Sequence, residues 1–283
     1  MKRAVVAGAD GGLGRAFVAR MKASWDVVAL SRDALDVSRR NAVFERLREL
    51  RPQLVIDCAA VTDVDLCETD KWRAYLVNRD GAEHLARAAA EADALLLLPG
   101  CDLIFDGAKS LPYREEDSPN PLSIYGDTKL AAELAVMSHA PKHLIVRTGW
   151  LFGPHGRNLL TEALQRRQDG DALLAPEEPI GQPCYQPDVV DACLRLVMEG
   201  KTGLWHVAPP DGATPLEFAR ELWTRLGGPA DDLHMLRRGS GGRTALRPRY
   251  AMLDVSKLGA EGIRLRSWRD ALAHAVSASA LSR

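Results

Sequence analysis

No stretch of this sequence approaches the about 18 uninterrupted apolar residues that a membrane helix requires, so a membrane-spanning helix is not expected. Neither sign of charge is in excess: 37 Lys and Arg against 38 Asp and Glu leave a formal net charge of −1. That balance argues against nucleic acid or an anionic membrane as the main partner. Cysteine is sparse and irregular. Cys58, Cys67, Cys101, Cys184 and Cys193 are odd in number and form no CxxC, which suits reduced thiols in a cytoplasm better than a disulfide framework. The seven histidines are scattered, and the closest pair, His139 and His143, flanks Pro141, so no metal site is expected. The N-terminal MKRAVVAGADGG is basic and then apolar, but glycines and an aspartate soon end the apolar run, which argues against a signal peptide. There is no internal repeat and no low-complexity tract. The expectation is a soluble, cytoplasmic protein.

What is present is ordinary for a globular chain: 46% hydrophobic and 27% charged residues in 283, enough for one large α/β domain or such a domain with an appendage. Short runs rich in Val, Leu and Ile at 4–9, 26–31, 53–60, 94–100 and 143–150 read as strands. Their near-continuous apolarity fits a parallel sheet covered on both faces. Helical patterns at 12–23, 38–50, 71–92 and 123–139 lie between them. This alternation predicts βαβ units and a doubly wound, Rossmann-type parallel sheet. After residue 150 the pattern loosens: 176–187 reads as loop, 187–200, 214–227 and 267–276 as helices, and 203–210 as a strand. Residues 1–150 are expected to form the NAD(P)-binding domain. Residues 151–283 are expected to be mainly a small substrate-binding lobe, with about 187–210 returning to the main sheet.

The first strand runs into GADGGLG, residues 8–14, and then a helix. Gly8, Gly11 and Gly14 fit GxxGxxG, where glycines let the backbone turn tightly and approach a pyrophosphate at a helix N-terminus. A glycine-rich turn without a ligand is the alternative, and the position in the first βα turn favours the site. At the end of the second strand stands Ser31-Arg32-Asp33. Arginine there favours the 2′-phosphate of NADP and a carboxylate favours NAD, so NADPH is preferred and NADH remains open. Asp36 and Val37 are placed to border the adenine. The full expected cofactor set is Gly8, Gly11, Gly12, Leu13, Gly14, Ser31, Arg32, Asp36, Val37, Ala59, Ala60, Asn78, Tyr125 and Lys129.

Tyr125 and Lys129 stand one helical turn apart in YGDTK, so their side chains share a face. An ammonium beside a phenol stabilises phenolate and makes the phenol a competent general acid. YxxxK alone is weak; its place after the fourth strand of a GxxGxxG domain makes it specific.

On these motifs the chain resembles the extended short-chain dehydrogenase/reductases, and within them the dTDP-4-dehydrorhamnose reductases. CAAVTDVDLCE (58–68), PYREEDSPNPLSIYGDTKLAAE (112–133), IVRTGWLFGPHGRN (145–158) and RPRYAMLDVSKL (247–258) extend the likeness nearly end to end. The resemblance implies NAD(P)H-dependent reduction of the 4-keto group of a nucleotide-linked 6-deoxy-hexulose. It implies Tyr125 as general acid and Lys129 as the residue that binds the nicotinamide ribose and tunes Tyr125. Trp150, Thr62, Val64 and Asp102 are implied on the sugar side, and Asn78 near the cofactor.

Two positions depart from the family. Its Ser-Thr-Asp-Tyr strand end is here Gly100-Cys101-Asp102-Leu103. Cys101, the third expected catalytic member, offers a thiol where the family has a hydroxyl, a weaker donor. Leu103 replaces a sugar-binding tyrosine and cannot supply the second acid that related 4,6-dehydratases carry. Farther on, Arg237, Arg238, Arg243, Arg247 and Arg249 crowd one loop. Guanidinium pairs bidentately with phosphate oxygens, so Arg247 and Arg249, in the family-like RPRY segment, are candidates for a substrate diphosphate. A solvated, mobile loop is the alternative. The expected partner is a nucleotide sugar or another small carbonyl compound, and a homo-oligomer is left open. The competing reading is a catalytically silent NADP-binding regulatory or scaffold protein of the same fold.

Overall fold

The computed structural model of the chain describes residues 1–236 and 244–281. Arg237, Arg238 and Arg243 of the basic loop lie outside the described residues. In chain order the first elements are β1 (Arg3–Ala7), α1 (Gly12–Met21), β2 (Asp26–Leu30), α2 (Arg40–Leu50), β3 (Leu54–Asp57), α3 (Val64–Thr69), α4 (Lys71–Tyr75) and α5 (Gly81–Glu91). Next come β4 (Leu95–Pro99), α6 (Ile124–His139), β5 (His143–Arg147), β6 (Leu151–Phe152), α7 (Leu159–Asp169), β7 (Leu173–Pro176) and β8 (Cys184–Tyr185). The last are α8 (Gln186–Met198), β9 (Gly203–His206), α9 (Pro215–Arg225), β10 (Leu233–Leu236), α10 (Ser256–Ala260) and α11 (Trp268–Leu281).

Six strands form one parallel sheet in the order β2-β1-β3-β4-β5-β9. Their alternating side chains supply two cores. Val6, Ile56 and Leu97 pack with Phe17 and Met21 of α1 and Val189 and Val190 of α8. Val5, Val55 and Leu96 pack with Val43 and Leu47 of α2, Leu85 of α5 and Val136 of α6 on the opposite face. Each such side chain contributes about 1.5–3 kcal/mol when fully buried, so strands this apolar on both faces require helices on both. A third core, after residue 150, gathers Phe152, Leu160, Leu173, Phe218, Trp223 and Trp268. No helix among the described residues is long and apolar enough to cross a membrane.

The sheet order reverses between β1 and β3, leaving a crevice at the carboxyl ends of these strands, where doubly wound sheets bind ligands. Local structure differs from expectation in several places, and α7, β7, β10 and α10 fall in segments to which the sequence pattern assigned no element. The 71–92 helix is not uniform: α4 and α5 are joined by a π-helical turn, Leu76–Asp80. There Asn78, only 3% exposed, turns inward to bond the β3–α3 loop and α6. The 176–187 segment is not all loop, because β8 pairs with β6. Helix α3 was not foreseen; Asp63 caps it, its carboxylate accepting from the Asp65 and Leu66 amides.

Candidate active site

The crevice holds a cavity of about 390 Å³ lined by Gly8, Gly11, Arg32, Asp36, Val37, Ala59, Ala60 and Thr62, among others. Gly8 turns the chain at φ +69°, and a Cβ there would lie 2.6 Å from the Ala59 nitrogen. Only glycine satisfies both conditions. Gly11 then caps α1, whose first turn has no acidic residue and whose cap makes no side-chain hydrogen bond. Its amides are therefore free for an anion. Gly12 packs against Gln186 and the His155 carbonyl, Leu13 joins the core under the loop, and Gly14 is buried. Asp36 accepts from the Ser38 hydroxyl at 2.7 Å and amide at 3.1 Å; the hydroxyl bond chiefly holds its carboxyl below the ordinary range. Ser31 lies beside this wall, its hydroxyl accepting from the Ala34 amide. The tight turn, the open helix start and exposed Arg32 on the wall fit a dinucleotide with a 2′-phosphate.

Asn78 sits deeper than a cofactor contact would require. Its amide donates to the Val61 carbonyl at 3.1 Å and the Thr128 hydroxyl at 3.0 Å, while its oxygen accepts from the Val61 amide at 2.7 Å. It ties the loop lining the cavity to α6. Its neighbour Val77 lines the cavity, with Arg73 one turn earlier.

Ser123 caps α6 through the Gly126 amide, so Tyr125 enters in the first turn and Lys129 in the second. Gly126 lies under the strand end, where a Cβ would come 2.3 Å from the Leu103 carbonyl oxygen. The Tyr125 phenol lies close to Cys101 and Asp102. Burial, then the neighbouring Cys101 and Asp102, push the phenol well above its ordinary pKa. The Cys101 thiol, 8% exposed, is pushed up to about 12, by burial first and Asp102 second. Lys129 is buried and its Nζ donates to the Pro99 carbonyl at 2.7 Å.

On the far side, Trp150 meets Phe218 edge-on at 5.0 Å. Its buried Nε1 has no hydrogen-bond partner. That nitrogen and Asp102 Oδ2 both lie against Gly181. Val64 opens α3, next to Thr62. The two arginines are not equivalent. Arg247 donates to Asp65 Oδ2 at 2.6 Å and is 17% exposed, whereas Arg249 is 74% exposed and 3.6 Å from Glu178.

A family model described as "RmlD substrate binding domain" matches residues 1–281. The chain belongs to that family. Among its relatives, the dTDP-4-dehydrorhamnose reductase of Streptomyces griseus is 35% identical over 278 residues, covering 95% of this chain and 91% of the relative. The dTDP-4-keto-6-deoxy-D-glucose reductase of Streptomyces niveus is 33% identical over 278 residues, covering 96% of each. The crystal structure of the Bacillus anthracis dTDP-4-dehydrorhamnose reductase in complex with NADP superposes with a TM-score of 0.92 at 28% identity. The match covers 97% of this chain and 99% of that one.

Within this family's fold, Asp102 carries a testable charge. It is 4% exposed, and burial pushes its carboxyl up to about 7. The folded chain thus holds that proton more tightly than the unfolded chain does. The resulting stability is full below the ordinary carboxyl pKa of about 4 and is lost as pH rises through about 7. Asp102→Asn should therefore gain on wild type as pH rises from 4 to 8, by roughly 2–4 kcal/mol at the upper end. Denaturant unfolding of both proteins at the two pH values checks this, and a pH-independent difference would refute a buried titrating carboxyl.

Proposed function

We propose that the protein reduces the 4-keto group of a dTDP-linked 6-deoxy-ketosugar with NADPH. One observation carries the reading: Tyr125 lies beside Cys101 and Asp102, and Lys129, one helical turn on, lies near Cys101 and near Cys58 of the cavity wall. NADPH, when bound, supplies hydride. Gly8, Gly11 and the start of α1 would hold its pyrophosphate, Arg32 its 2′-phosphate, and Val37, Ala59 and Ala60 its adenosine half. Tyr125 protonates the carbonyl oxygen as charge develops on it. Lys129 would tune that phenol and donate to the nicotinamide ribose. The orphan Trp150 Nε1 and the carboxyl of Asp102 serve the sugar hydroxyls, since a buried donor without a partner is costly until a ligand supplies one. Thr62 and Val64 border the sugar. Arg249, exposed, is the freer phosphate partner, because Asp65 already engages Arg247.

We further place the division of labour near residue 150, with the third core serving the substrate lobe, and the chain in a cytoplasm, where the five free thiols would persist. A silent scaffold is disfavoured because the pair needed for proton transfer is retained in working register.

NADPH oxidation against dTDP-4-keto-6-deoxy-hexose, with a panel of other carbonyls, tests the reaction; no consumption with any of them would refute it. NADPH is expected to bind more tightly than NADH, and Arg32→Ala to weaken NADPH selectively. The loss should be about tenfold or more, as for a charge-assisted phosphate contact. Fluorescence titration of both cofactors decides this, and equal affinities in both proteins would remove Arg32 from the site.

A further inference from the structure

Helix α3 is bonded to two segments far apart in the chain, 244–247 and the start of α6. On one side, Asp65 gathers the segment 244–247. Its Oδ1 accepts from the Thr244 amide at 2.8 Å and the Ala245 amide at 2.9 Å, and Arg247 closes a fork on both oxygens at 3.3 and 2.6 Å. Burial alone would raise this carboxyl, but bonds from Arg247 and the two amides outweigh it and hold the carboxyl below the ordinary range. Three residues on, Glu68 Oε1 accepts from the Ile124 amide at 2.8 Å. That amide opens α6, and the next residue is Tyr125. Residues three apart share a helix face, so one short helix holds the 244–247 segment and the first turn of α6 at once. Its third attachment is Cys67, whose sulfur donates to the Val61 carbonyl in the loop lining the cavity.

We propose that α3 is a strut, with Asp65 and Glu68 as positioning residues that fix the start of α6, and so Tyr125, relative to the 244–247 segment. The neighbouring Arg157–Asp63 contact provides a contrast. At 3.5 Å, with Arg157 90% exposed, it is a screened surface pair of the kind that contributes little. The Asp65 cluster has four donors on one half-buried carboxylate, and such charge-assisted sets hold geometry. The kinetic consequence rests on the reading of Tyr125 as proton donor; the mechanical link does not.

Amide hydrogen exchange in the full chain separates the two. Arg247→Ala should speed exchange at Ile124 about tenfold, although the hydrogen bonds of Arg247 go to Asp65 and Ala245 and not to α6, because loosening one end of α3 frees Glu68 at the other. Glu68→Ala should do the same, and Arg157→Ala should leave Ile124 at the wild-type rate. Asp65→Asn is the milder variant in case Arg247→Ala folds poorly. It keeps an acceptor for the Thr244 and Ala245 amides, loses the charge, and should give an intermediate rate. Unchanged exchange at Ile124 in both Arg247→Ala and Asp65→Asn overturns the strut, as does an equal rise in the central strands, which would report global loosening. In turnover, Glu68→Ala should lower kcat while KM and NADPH affinity stay near wild type; a rise in KM alone would overturn the positioning role. If the wild type reduces no ketosugar, the proposed function fails, and exchange at Ile124 still decides the strut.

Discussion

Tyr125→Phe is expected to lower ketosugar reduction by roughly 10²–10⁴-fold, the usual contribution of a positioned general acid, while NADPH affinity stays close to wild type. The substitution deletes one O–H and keeps the ring, which packs against the core beneath the crevice. The phenol's environment sets the pH behaviour. Burial, Cys101 and Asp102 hold its pKa well above the ordinary value, so the proton stays on the oxygen throughout the neutral range. Activity should therefore not fall through loss of this proton until pH exceeds the usual tyrosine value of about 10. Lys129→Ala is a harsher change. It removes a buried side chain one helical turn from Tyr125 and leaves the Pro99 carbonyl without its 2.7 Å donor, so both turnover and cofactor affinity should suffer. Stopped-flow NADPH oxidation and equilibrium titration separate the effects. If Tyr125→Phe works at the wild-type rate, the proton comes from another group, and Asp102, protonated up to about pH 7, would be the first to examine.

Those residues were legible because their chemistry constrains the backbone. A tight first βα turn demands glycine, and Gly8 stands there at positive φ. Strands buried on both faces show as unbroken apolar runs: β3, β4 and β5 fall inside the segments read that way, and β1 begins one residue before its segment. What could not be read depends on contacts between distant segments. Nothing local in KWRAYLVNRDG announces a π turn, and the buried Asn78 within it bonds Val61 and Thr128, 17 and 50 residues away. Helix α3 is six residues long, too short for periodicity to register, although Asp63 before Val64 and Asp65 is a cap signal that could have found it. An arginine-rich loop advertises charge, but not the ion pair that Arg247 makes. The carboxylate that engages it lies 182 residues earlier, and only the fold brings the two together. Arg73 entered the cavity wall in the same way, one turn before Val77 on a helix whose inward face the sequence did not identify.

Cys101→Thr is expected to raise turnover on the ketosugar about tenfold, since about 1.4 kcal/mol of transition-state stabilisation is a factor of ten. Cys101 is extended, at φ −148° and ψ 163°, a conformation that β-branched threonine adopts readily. Its sulfur is at the Tyr125 phenol, and its thiol, pushed up to about 12, keeps its proton. The wild type thus presents an S–H where a hydroxyl would be the stronger donor. Removing a whole oxyanion donor costs about 2.7–4 kcal/mol; replacing a weak donor by a strong one should recover only part of that, hence the smaller figure. NADPH affinity should hardly move. Three variants discriminate the alternatives: wild type, Cys101→Thr and Cys101→Ala, compared on the same substrate. Equal rates in all three would remove Cys101 from the chemistry and leave it as a small residue filling space beside Tyr125. A slower threonine variant would mean that the thiol suits the native carbonyl compound better than a hydroxyl does. Leu103 then becomes the next position to change, because it stands at the same strand end, its carbonyl against Gly126, and its side chain offers the sugar no hydrogen bond.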